Sequence, residues 1–335
     1  MDSLKKNVVV IGGGTGTYTA LSGLKAYADT THITAIVTMA DSGGSTGRLR
    51  DEFGQLPVGD VRMALAALAT DVDAHADLLR ELFLYRFSRG DGLAGHNFGN
   101  LLLTALTDIL GDTSVAITAA SQILRIQGTV IPVTTDNVQL VATYDSGRQV
   151  VGEHEIDVAP ESALYERITH LSVSPSAHIN PQAEAAILAA DLIVLGPGDL
   201  YTSILANCVV GGMREALCRS QAPVVYVCNL MSRAGQTVGM SSLDYVDEIE
   251  KYTGRRPEWM IYNNTVFQES LLEKYSLEGN HRVADNSSFD DQCRTVHADV
   301  VSSESFQSVA GDTIERSLIR HDPAKLANVL MSLIK

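Results

Sequence analysis

Residues 39–60, MADSGGSTGRLRDEFGQLPVGD, put glycines, hydroxyls, two arginines and acids into one short stretch directly after an apolar run. Gly43, Gly44 and Gly47 permit positive φ and let backbone N–H groups approach an anion. Ser45 and Thr46 add hydroxyl donors, and Arg48 and Arg50 supply forked cations. The chemistry this mixture suits is recognition of phosphate on a small molecule. Asp41 lies about where an acid of a nucleotide-binding βαβ unit meets a ribose hydroxyl, somewhat later than the usual ~20 residues. It can equally orient a substrate hydroxyl, hold a metal, or cap the following turn.

Two further glycine turns repeat that logic. At 8–16, VVVIGGGTG is a strand feeding a turn and then a helix, so Gly13, Gly14, Thr15 and Gly16 present N–H groups and a positive helix end. It is not a strict dinucleotide fingerprint, because Thr17 stands where the third glycine belongs, and no Gly-Lys-Ser/Thr closes a Walker loop. At 195–203, LGPGDLYTS clears space with Gly196 and Gly198 and opens a helix with Thr202 and Ser203. Asp60 reads as an N-cap with Arg62 behind it. In GHNFGN at 95–100, His96, Asn97 and Asn100 share a helix start. Asn229 follows another apolar run and joins the same rim, since ligands of open parallel sheets gather at the carboxyl ends of strands.

The elements that must position these loops follow from periodicity. Short apolar runs at 7–11, 32–39, 191–195, 223–228 and 259–262 fit parallel strands covered on both faces. Helical patterns are expected at 17–25, 60–70, 74–87, 97–110, 114–126, 181–190 and 208–219, with a closing helix at 323–334. Runs at 129–132, 138–144 and 149–153, the last two separated by Asp145-Ser146-Gly147, read as an antiparallel insertion. The polar stretch 279–291 reads as a mobile loop.

The chain has 335 residues, 45% hydrophobic, enough for one large α/β domain or two average ones. Its formal charge of −15 repels nucleic-acid backbones, so anion specificity has to be local. No apolar run approaches a membrane span and no leader pattern opens the chain, so a cytoplasmic location away from membranes is expected. Cys208, Cys218, Cys228 and Cys293 form no metal-binding spacing and read as reduced thiols, with Cys218 and Cys228 expected to be buried.

Several blocks in order resemble the CofD-like family, specifically its YvcK branch of gluconeogenesis factors. They are GGGTG at 12–16, SGGSTGRLR at 42–50, GD at 59–60, LFLYRF at 82–87, GHNFGNLLL at 95–103, ADLIVLGPGDLYTSI at 190–204 and VCNLM at 227–231. The resemblance implies a Rossmann-like three-layer α/β/α fold with a mostly parallel sheet. It also implies one domain over 1–335 that contains a helical segment at about 60–126 and the antiparallel β insertion at about 129–173. It implies a UDP-sugar such as UDP-N-acetylglucosamine, or an NAD-like ligand, and a role in cell shape and peptidoglycan precursor supply during gluconeogenic growth. Related CofD enzymes transfer a phospholactyl-type group onto a deazaflavin with a metal-bound nucleotide donor, which would make Asp41, with Asp60, the holder of a divalent metal such as Mg2+ between phosphates and Asp41 the candidate catalytic residue. The branch usually carries two acids before its GG where this chain has Asp41-Ser42, and MTQPGET where this chain has MSRAGQT.

Those departures weaken metal-assisted transfer more than binding. The favoured reading is therefore a nucleotide-sugar-binding regulator that forms a homo-oligomer, with a CofD-type transferase as the alternative. An NAD-dependent oxidoreductase lacks both a strict fingerprint and a proton donor other than His96.

Overall fold

The protein is described by a computed structural model covering residues 5–158, 160–303 and 318–334. Ten strands occur among these residues: β1 Lys6–Gly12, β2 Thr31–Val37, β3 Thr129–Pro132, β4 Gln139–Tyr144, β5 Gln149–Val151, β6 Ile168–Ser174, β7 Leu192–Leu195, β8 Val224–Val227, β9 Trp259–Asn263 and β10 Arg294–Ala298. Seven form one parallel sheet in the order β10-β9-β8-β7-β1-β2-β3. Its strands are short and apolar on both faces because each face is covered. Val9, Ile11, Ile193, Leu195 and Tyr226 join one core, while Val8, Val10, Leu192, Val194 and Val227 join the other.

Strand order reverses at β1. The chain moves outward to β2 and β3 on one side, then returns to place β7 on the other. A crevice must open between loops leaving neighbouring strands in opposite directions, and this is where open α/β sheets bind ligands.

The run 129–132, expected within the antiparallel insertion, is instead β3, paired parallel with β2 with Val130 opposite Ala35. Val130 and Ile131 enter opposite cores, so both faces need cover that only the main sheet supplies. The antiparallel sheet is the smaller unit β5-β4-β6.

Much of the expected second loop is also regular structure. Gly44–Phe53 is a helix with Ser45, Thr46, Gly47 and Leu49 buried. Its glycine-rich first turn hides it, since glycine is the poorest helix former after proline. Elements absent from the sequence expectations include β6, the helix Ser242–Thr253, the helix Glu269–Leu277 and β10. The stretch 279–291 is tied back by bridges from Arg282 to Met231 and from Ala284 to Ser241. Cys208, Cys228 and Cys293 are buried, whereas Cys218 is exposed because its helix, Met213–Arg219, turns that position outward.

Candidate functional site

At the carboxyl ends of β1, β2, β7 and β8 lies a cavity of about 680 Å3. The loops that wall it are interlocked. Gly16 packs so closely on the third glycine turn that a Cβ there would overlap the Pro197 carbonyl oxygen and stand 2.7 Å from the Gly198 nitrogen. Asn229 Nδ2 donates to the Gly198 carbonyl at 2.8 Å, and Tyr226 Oη donates to Asn229 Oδ1 at 2.8 Å. Gly14 N–H donates to Asp60 Oδ1 at 2.8 Å, so the first loop is bound to the start of the helix Gly59–Leu68. After Asp199 the chain takes one π-helical turn, Leu200–Leu205, a rare conformation that recurs at functional sites.

The second wall is a polar staple. Arg62 is buried in the first turn of its helix, and its Nε donates to Asn100 Oδ1 at 2.9 Å while Asn100 Nδ2 donates to Thr46 Oγ1 at 3.2 Å. Asn97 caps the helix Phe98–Leu110. Ser45 Oγ accepts the Asn97 N–H at 3.1 Å and lies 3.2 Å from His96 Nδ1. Asn100→Ala takes an acceptor from a buried guanidinium, so it should cost about 2–3 kcal/mol, read as a lower urea midpoint. An unchanged midpoint would mean that the staple contributes nothing.

Of the sequence candidates, Gly14, Thr15, Gly16, Asp41, Gly43, Gly44, Ser45, Asp60, Arg62, Asn100, Gly198, Thr202, Ser203 and Asn229 line the cavity. Gly13, Arg48, His96, Asn97 and Gly196 are not among its lining residues. Arg48 points away because both its terminal nitrogens donate to the Ala94 carbonyl at 3.2 Å. His96 and Asn97 sit behind Ser45 as its partners. Gly13 faces Asp60, and Gly196 is packed against Ile204.

Sequence reading missed the far wall. The short helix Glu153–Asp157, carried by the antiparallel sheet, brings Glu153, His154 and Asp157 to the cavity, and Asp199, Arg233, Tyr275, Asn280 and Arg320 also line it. Ser42, where the resembling branch carries a second acid, accepts the His154 N–H through its Oγ at 2.9 Å. Glu153 Oε2 lies 3.5 Å from the Ser42 amide, so an acid reaches this spot from a different part of the chain. Asp157 braces two loops, with Oδ1 accepting from Thr202 Oγ1 at 3.1 Å and from Gln236 Nε2 at 2.8 Å.

Five carboxyl groups, those of Asp41, Asp60, Glu153, Asp157 and Asp199, therefore share one cavity. Burial, reinforced by the Asp41 charge, pushes Asp60 up to about 7 despite the Gly14 N–H and Arg62. Burial and Asp157 push Asp199 up to about 6. Burial also raises Asp41, against the Gly43 N–H, and it raises Glu153 well above the usual range with Asp41, Asp157 and Asp60 adding to the effect. Among the described residues, no group of three or more His, Cys, Asp or Glu side chains is arranged to hold a metal ion.

The chain matches the CofD family, described as 2-phospho-L-lactate transferase CofD, over residues 8–304. It belongs to the CofD family. Within that family it is 37% identical to the gluconeogenesis factor of Bacillus subtilis, with 99% of each chain covered. It is 43% identical to that of Halalkalibacterium halodurans, over 75% of this chain and 74% of the relative. A crystal structure of a Bacillus halodurans protein superposes with a TM-score of 0.87 at 35% identity, covering 98% of this chain and 99% of the other. This CofD-family chain thus has the mostly parallel sheet with flanking helices and small antiparallel sheet of its relatives. Among the described residues no helix is long and apolar enough to cross a membrane.

Proposed function

We propose that this CofD-family protein binds a nucleotide sugar in the crevice, with a UDP-sugar such as UDP-N-acetylglucosamine as the candidate, and acts through that binding as a regulator of the gluconeogenesis-factor type. One observation carries the reading: glycine turns from β1 and β7 and the helix start at Gly44 converge on a cavity of about 680 Å3, the size class of small-molecule and cofactor sites. The polar atoms there suit binding better than covalent catalysis. Ser45 is buried with its oxygen committed to the Asn97 N–H, Thr46 accepts from Asn100 and Thr202 donates to Asp157. The role in wall-precursor supply under gluconeogenic growth rests on the resemblance alone.

Charge shapes how an anion would enter. Five acids face a phosphate-bearing ligand, against Arg62, Arg86, Arg233 and Arg320. The donor set fits a hard cation such as Mg2+ only in the form that keeps waters and phosphate oxygens as ligands, with Asp41 and Asp60 as the protein's contribution. Such an ion would neutralise charge between carboxylate and phosphate. A second reading, transfer chemistry of the CofD type, is favoured by Asp60 and Asp199, whose carboxyls exchange protons near neutral pH.

Calorimetric titration with UDP-N-acetylglucosamine, UDP-glucose and NAD, each with and without Mg2+, separates these readings. Binding of a UDP-sugar at micromolar concentration without turnover is the expected result. Folded protein that binds none of them below the millimolar range would end the nucleotide-sugar reading, and turnover abolished by Asp41→Asn would favour the transferase.

A further inference from the structure

We propose that Arg233 is a phosphate-binding residue of this cavity, placed to grip the terminal phosphate of a nucleoside diphosphate beside Thr202; the inference rests on reading the cavity as a nucleotide site. Its backbone is fixed and its fork is not. Arg233 N–H donates to Thr237 Oγ1 at 2.8 Å, and the neighbouring Ser232 and Ala234 amides donate to the His281 carbonyl at 2.6 Å and to Asn280 Oδ1 at 2.8 Å. The guanidinium, by contrast, makes a single hydrogen bond, from one terminal nitrogen to the Asp157 carbonyl at 3.3 Å. The Asp157 carboxylate stands 4.0 Å away, beyond hydrogen-bond reach, because Thr202 and Gln236 already hold its other oxygen.

Two arginines away from the cavity have their forks fully engaged. Arg255 donates to the Leu217, Ser220 and Ala222 carbonyls and to Glu258, and Arg256 donates to Asp247, Glu250 and Asp290. Arg233 lines the cavity with 42% of its side chain exposed and most of its five N–H donors unused. A planar fork with spare donors matches two phosphate oxygens at once. Its location also has an electrostatic reason. Asp157, Asp199 and Glu153 all act on Arg233, and a phosphate brought to this acidic wall without a fixed cation would be repelled.

The test is calorimetric titration of the full chain with UDP and with UMP, for wild type, Arg233→Gln and Arg233→Lys. Wild-type binding of UDP decides the nucleotide reading itself. Given that binding, Arg233→Gln should weaken UDP by about tenfold to hundredfold and collapse the preference for UDP over UMP, with Arg233→Lys in between. The ligand-free thermal midpoint should barely move, since one hydrogen bond is lost. UDP and UMP weakened equally, or no change in either, would overturn the assignment and leave Arg233 as a prop for Asp157.

Discussion

Asp60→Asn should make the ligand-free protein more stable at about pH 8, by an amount on the order of 1–3 kcal/mol. The native carboxyl is pushed up to about 7 by burial and by Asp41, while its ordinary value is 3.8. Between those values the folded chain holds a proton that the unfolded chain has released, so stability falls as pH rises through the window. Above it, the native state carries a charge that burial and Asp41 oppose. Asparagine keeps an oxygen for the Gly14 N–H and carries no charge to oppose. Urea unfolding at about pH 4 and about pH 8 should find the variant's advantage large at the higher pH and small at the lower. An advantage of equal size at both would show that the Asp60 charge is not its source. If the site takes a cation between acid and phosphate, the same variant should bind UDP-sugars more weakly, which makes Asp60 a residue kept at a cost in stability.

Gly16→Ala is the second large effect, and helix propensity predicts its sign wrongly. Gly16 lies inside the helix Gly14–Leu24, where alanine ordinarily gains about 1 kcal/mol over glycine. Here the added methyl would overlap the Pro197 carbonyl oxygen and stand 2.5 Å from its carbon. The obstacle is backbone, so no side chain can turn aside, and a net loss of about 2–4 kcal/mol is expected from forcing the loops apart. Thermal unfolding with and without a nucleotide ligand reads both stability and the cavity. A variant as stable as the parent would mean that the first and third loops separate freely, and the cavity shape described above would not persist in solution.

The parts of the site legible in the sequence are those written locally. A β-branched run followed by glycines and a hydroxyl declares a strand, a turn and a helix start within a few residues, and this located Gly14, Gly198 and Thr202. Arg62 was legible because it lies one turn inside a recognisable helix start. The far wall was not, for a physical reason. Glu153 and Asp157 follow a short β-hairpin and look like solvated polar residues, and bonds to Ser42, Thr202 and Gln236, between 45 and 111 residues away, bring them inside. The helix Ser242–Thr253 differs in kind, because Ser241 and Asp244 form a capping box that does announce its start. For Gly44–Phe53 the sequence misleads, since glycines that free N–H groups for an anion also resemble a loop. The His96 trio is a milder case, in which a shared helix start was visible but its direction was not, and the pair His96 and Asn97 serves Ser45 from behind the wall.

The strand order also sets when the binding site can exist. Gly14 and Gly16 open the helix that directly follows β1, but the turn Gly16 packs against follows β7, and β7 alone fills the open side of β1. Asn229, which ties that turn down, is made later still. Until β7 is made, β1 is paired on one side only, by β2, and the cradle lacks its third loop, so the crevice cannot close before the second half of the sheet is in place.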